Sequence, residues 1–122
     1  MNIVYLSLIV LAAFLNTIAN LLIKVGASRM GNIPHHFSDF SSFLLKLVTN
    51  WLLIGGLTVF GIGFMMWVLI LNKVQLSTAA PIMSLGYVFI MILSYFLFKE
   101  PITFTKLLGV IVILLGVVII TR

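Results

Sequence analysis

Four apolar stretches, at roughly 3–23, 51–71, 78–98 and 107–120, hold almost none of the charge in this chain, and that pattern constrains the fold before any motif does. A helix needs about 20 residues, at about 1.5 Å each, to cross roughly 30 Å of hydrocarbon. The runs are continuous rather than alternating, which favours helices over a barrel, because a helix satisfies its own backbone groups where no water is present. The predicted fold class is therefore an all-α integral membrane protein with a bundle of four transmembrane helices.

The 122 residues are 63% hydrophobic and 7% charged, so four crossings with short connections use nearly the whole chain. A single transmembrane domain over 1–122 is expected, with helices at about 3–24, 51–71, 77–98 and 102–120. The first stretch has no basic segment before it and is longer than a cleavable signal, so it is read as retained. The fourth is wholly apolar over only 14 residues, and it reaches spanning length by letting Lys106 extend to the headgroups.

Several chemistries have no apparatus here. Cysteine is absent, and the adjacent His35 and His36 have no spaced partners, so no metal centre is expected. Neither a phosphate-cradling glycine loop nor a nucleophile elbow occurs, and the two carboxylates, Asp39 and Glu100, lie far apart in sequence. No catalytic residue, enzyme activity or cofactor is predicted. A net charge of +5 in a soluble chain would suggest nucleic acid, but here the basic residues sit at helix ends and meet lipid headgroups. Lys24, Arg29, Lys46, Lys99 and Lys106 flank loops one and three, against Lys73 and Arg122 on the other side, which favours loops one and three in the cytoplasm.

In loop one, Phe40, Phe43, Leu44 and Leu47 recur at helical spacing among serines. That pattern fits either a short interfacial helix or an extension of the second span. Gly55, Gly56, Gly61 and Gly63 point to close helix packing in the second span. In the third, Pro81 removes a backbone donor and Gly86 loosens the helix, so a kink is expected there. Glu100, beside Lys99 at the foot of that helix, reads as a local charge pair or as a group at the mouth of a pathway. Gly109 and Gly116, seven apart, notch one face of the fourth span and suggest a dimer interface.

The most informative polar residues are in the first span. Ala13, Asn16, Thr17, Asn20 and Lys24 fall on one helical face, and lipid offers such groups no partner. Two readings stay open: a groove guiding a polar headgroup, with Lys24 as an anion anchor at its mouth, or interhelical hydrogen bonds with ordinary snorkelling by Lys24. Ser84 and Tyr87 are candidate partners from the third helix.

Taken in order, Asn20-Leu21-Leu22-Ile23-Lys24, the stretch from Leu76 through Ala80-Pro81-Ile82-Met83-Ser84 to Gly86, the Lys99-Glu100-Pro101 turn and the two Leu-Gly pairs at 108–109 and 115–116 resemble the drug/metabolite transporter superfamily. The similarity is to its four-helix branch, which includes small multidrug resistance exporters, aminoarabinose-phosphoundecaprenol flippase subunits and EamA-like half-domains. The position that carries the exporters' essential first-helix glutamate corresponds to Asn16, which speaks against proton-coupled drug export. The resemblance to the flippase subunits implies carriage of an undecaprenyl-phosphate-linked sugar across the bacterial inner membrane. By resemblance the substrate-binding residues are sought among Asn16, Thr17, Asn20, Lys24, Ser84, Tyr87 and Glu100, in a homodimer or a heterodimer with a paralogous subunit. Export of small solutes or cations, and a non-transporting accessory role in a membrane enzyme complex, are the alternatives. The partners expected are membrane lipid and a second subunit, not nucleic acid.

Overall fold

The computed structural model describes residues 3–29 and 40–122. His35, His36 and Asp39 lie outside the described residues. Six helices follow in order: α1 (Ile3–Ser28), α2 (Phe40–Thr49), α3 (Trp51–Lys73), α4 (Leu76–Met83), α5 (Leu85–Phe98) and α6 (Phe104–Thr121). α4 and α5 together make one span, so α1, α3, α4–α5 and α6 give four helices long and apolar enough to cross a bilayer. This is a multi-pass membrane protein.

Local chemistry explains the breaks. α1 continues one turn past Lys24, through Gly26, rather than ending at the lysine. α2 is a separate helix and not the start of α3, because Asn50 between them is extended, at φ −87° and ψ 109°. The Asn50 side chain accepts from the Leu52 amide at 3.0 Å, capping α3, and donates to the Gly26 carbonyl at 2.9 Å. One residue thus starts α3 and ties it to the last turn of α1. Thr103 caps α6 in the same way by accepting from the Lys106 amide at 3.2 Å.

The break in the third span falls at Ser84, not at Gly86. Pro81 has no amide hydrogen to offer, the Ser84 hydroxyl donates to the Pro81 carbonyl, and the Ser84 and Tyr87 amides bond three residues back in a tightened turn. Gly86 faces α1 at ordinary contact distance: a Cβ there would lie 3.5 Å from the Ala13 carbonyl oxygen.

α1 is the central helix, packed mainly on α3 and also on α4 and α5, while α6 lies against α4 and α5 and is the least covered span. At the end bearing Lys73, Ile9, Ala12, Ile70, Ala79, Ile82 and Val117 form a dry core. Large side chains such as Trp51, Phe64, Phe96, Phe104 and Ile119 are exposed. An apolar surface of that extent is unsuited to water and matched to lipid.

α1 and α3 meet through glycine. A Cβ on Gly56 would lie 2.7 Å from Ile23 Cγ1 and 3.1 Å from the Ala19 carbonyl oxygen, and one on Gly26 would lie 2.9 Å from Leu53 Cγ. Gly55 has only loose contact, and Gly61 and Gly63 face open space, so the four glycines of α3 do not share the packing role expected of them. Gly56→Val is expected to destabilise the bundle by about 1–3 kcal/mol through overpacking. Gly61→Val should leave the melting temperature of the detergent-solubilised protein near wild type, and equal losses at the two sites would show that the α1–α3 contact is not the cause.

Candidate functional site

The polar face of α1 divides in two. Ala13 and Thr17 turn inward to α5, where the Thr17 hydroxyl lies 3.0 Å from the Ala13 carbonyl and 3.3 Å from the Gly86 carbonyl and is fully buried. Thr17 therefore lines none of the clefts; it stitches α1 to α5, an interaction worth about 0.6–2 kcal/mol between membrane helices. The edge-to-face contact of Phe14 with Phe89, at 5.7 Å between ring centroids, reinforces the same seam.

Asn16 and Asn20 lie beside that seam and remain half-buried. Asn20 Nδ2 donates to the Asn16 carbonyl oxygen at 2.9 Å, within the helix. The Asn16 amide has no protein partner among the described residues. It sits at the midpoint of α1 and lines two clefts of about 250 Å³ each, one with Val59, Gly63 and Trp67 of α3 and one with Ser84, Tyr87 and Ile90. An amide in hydrocarbon without a hydrogen bond costs roughly 4–8 kcal/mol, so a cleft that admits water or a polar ligand removes a large penalty.

Toward Lys24 the clefts continue. One of about 380 Å³ between α1 and α5 is lined by Asn20, Lys24, Ile90, Ser94, Phe98 and Glu100. Another, of about 300 Å³ between α5 and α6, shares Ile90, Ser94 and Glu100 and adds Tyr87, Lys106 and Gly109. Ile90 belongs to both of these and to the inner Asn16 cleft, so the three adjoin.

The mouth is closed by an ion pair. Lys24 Nζ donates to Glu100 Oε1, across 76 positions of sequence, and lies 5.4 Å from the centre of the Phe98 ring. Glu100 therefore pairs with Lys24 of α1 rather than forming a local pair with Lys99. Lys99 makes this turn: it adopts the left-handed conformation at φ 55°, its amide and that of Glu100 both bond back to the Ser94 carbonyl, and the chain reverses. Such a backbone costs a non-glycine residue about 1–2 kcal/mol. The hydrogen bond from Lys24, aided by the positive charges of Lys24 and Lys106, holds the Glu100 carboxyl below its ordinary value of 4.5 against a smaller opposing effect of burial.

Of the residues expected at the site, Asn16, Asn20, Lys24, Ser84, Tyr87 and Glu100 line these adjoining clefts, and Thr17 does not. The Ser84 hydroxyl already donates to Pro81. Gly109 lines the α5–α6 cleft, and neither it nor Gly116 has an atom within 4 Å of a built Cβ. Ser94, Phe98 and Lys106 were not singled out from sequence as site residues. The spacing of Ser84, Tyr87, Met91, Ser94 and Phe98 on one face of the third span was the available signal.

Against known proteins, the model of the EamA-like transporter family matches residues 33–122. The chain belongs to that family. Among its curated relatives are a Pseudomonas fluorescens protein named probable 4-amino-4-deoxy-L-arabinose-phosphoundecaprenol flippase subunit ArnE, 32% identical over 108 residues, covering 84% of this chain and 94% of the relative. A Proteus mirabilis protein named as the ArnF subunit is 31% identical over 115 residues, covering 91% of this chain and 86% of the relative. No solved structure matches the chain significantly.

A depressed carboxyl contributes stability that is complete above its unfolded value, near 4.5, and is lost as pH falls through its lower folded value. The expected result is a melting temperature that declines below pH 4.5 in the wild-type protein by a small amount that Glu100→Gln removes, because both groups are partly exposed. Identical acid profiles of the two proteins would show that the pair contributes nothing.

Proposed function

We propose that this chain is a subunit of a flippase that carries a polyprenyl-phosphate-linked sugar, or a lipid with a similar polar headgroup, across the bacterial inner membrane. The headgroup follows the Asn16, Asn20 and Lys24 side of α1 while the hydrocarbon tail stays in lipid between helices. The observation that carries this reading is the unpartnered Asn16 amide at mid-membrane, opening onto clefts that adjoin a chain of polar groups running to Lys24 and Glu100. Sealed structural asparagines would bond across to a neighbouring helix, as Thr17 does. The names of the relatives agree with this substrate class.

The same residues argue against proton-coupled export. Such exchange calls for an intramembrane acid whose desolvation raises its pKa so that proton and cargo compete. The two acids of the sequence are Asp39 in the first loop and Glu100 at the end of a span, and neither is near Asn16 in sequence. The individual clefts, at about 250–380 Å³, are at the low end of ligand-site volumes. A second subunit, either another copy or a paralogue, completes the pathway in this reading, and the open face of Gly109 and Gly116 on α6 is the proposed seam.

Asn16→Leu separates scaffold from pathway. It should lower outer-leaflet delivery of the lipid-linked sugar by at least about tenfold, the loss equivalent to one good polar contact. The same change should raise thermal stability, since it removes an unpaired amide from the membrane interior. Lys24→Ala and Asn20→Leu should impair delivery with wild-type amounts of folded protein in the membrane. Normal delivery by all three variants would reduce the polar seam to packing.

A further inference from the structure

Glu100 is bonded to one ammonium group and lines a cleft together with a second. Glu100 accepts from Lys24 on the α1 side, and on the other side it lines the α5–α6 cleft with Lys106, whose Nζ donates only to the Pro101 carbonyl at 3.2 Å. Glu100 and Ser94 belong to both clefts, so Glu100 borders two spaces, each lined by one lysine. The Ser94 hydroxyl has no protein partner among the described residues, and the Lys24 and Glu100 side chains are 53% and 36% exposed. An ion pair so exposed holds a fold together weakly.

A tetrahedral phosphate carries more charge than a carboxylate and more oxygens than Lys24 alone can engage. A phosphate entering beside Glu100 would have Lys24 lining one cleft, Lys106 lining the other and Ser94 lining both as a neutral donor. We infer that Glu100 is a resident substitute for a lipid phosphate, and that an arriving phosphate displaces its carboxylate from Lys24. This inference rests on the proposed passage of a lipid-linked headgroup through the cleft. It gives the empty protein an anion of its own against Lys24, beside the apolar side chains of Ile90 and Phe98.

The test uses the full chain in phosphatidylcholine nanodiscs, with undecaprenyl monophosphate and inorganic phosphate as separate probes. Glu100→Gln should bind undecaprenyl monophosphate about tenfold more tightly than wild type, and Lys24→Gln or Lys106→Gln in the Glu100→Gln background should reverse that gain. Glu100→Asp, whose shorter side chain loosens the contact, should fall between and decides the matter if Glu100→Gln does not fold. A parallel response to inorganic phosphate locates recognition in the phosphate whatever carries it, and a response to undecaprenyl monophosphate alone locates it in the lipid; both uphold displacement. Unchanged or weaker binding by the folded Glu100→Gln and Glu100→Asp proteins overturns it. Wild-type delivery of lipid-linked sugar is scored separately. Delivery with unchanged binding defeats displacement alone, while tighter binding without any delivery defeats only the transport reading.

Discussion

Lipid offers no hydrogen bond, and the partners of most hydroxyls and amides in the spans follow from that. Ser7 and Thr58, on exposed faces, donate to carbonyls four residues back in their own helices, at 2.8 and 2.9 Å. Thr17 bonds both within α1 and across to α5. Asn20 donates to its own helix. The Asn16 amide, at the midpoint of α1, follows none of these routes, and two clefts reach it. In water such an amide would be unremarked; at the centre of a span it is the observation on which the proposed pathway rests.

The helices are joined unequally as a result. α1 and α3 are joined by Gly26, Gly56 and the double bond of Asn50, at distances that leave no room for a side chain. α1 and α5 meet at the Thr17–Gly86 bond, the Phe14–Phe89 rings and the Lys24–Glu100 pair, with open clefts between these points. Close packing in membranes comes from small residues because hydrophobic burial gives no advantage over lipid. The glycines that line clefts, Gly63, Gly86 and Gly109, are those a neighbour does not fill as tightly as Gly56 and Gly26.

Much of this was legible in sequence and some was not. The four spans followed from hydropathy, since their lengths and composition leave no alternative in a bilayer. The polar stripe of α1 was visible from its spacing, yet spacing could not show that Thr17 would turn inward while Asn16 faced a cleft, because a helix face of about 100° includes both. The kink was foreseen from Pro81, but its position at Ser84 depends on which amides rebond after the proline. From sequence Glu100 reads either as a local partner of Lys99 or as a group at a pathway mouth, because only sequence neighbours can be paired from a single chain. Its partnership with Lys24 exists only after the left-handed turn at Lys99 brings the end of α5 back to α1. Nor could glycine content alone separate Gly56, which a neighbour fills, from Gly61 and Gly63, which face open space.

The amide at Asn16 also bears on energetics. A carboxylate at that depth would be held between charged and neutral forms by desolvation, so that moving cargo would move a proton. An amide does not titrate, and the spans contain neither a carboxylate nor a histidine that could take over the task. Under the proposed function its donor and acceptor would meet a hydroxylated headgroup with no change of charge at the site. In that reading, passage of the headgroup past Asn16 does not oblige a proton to move with it.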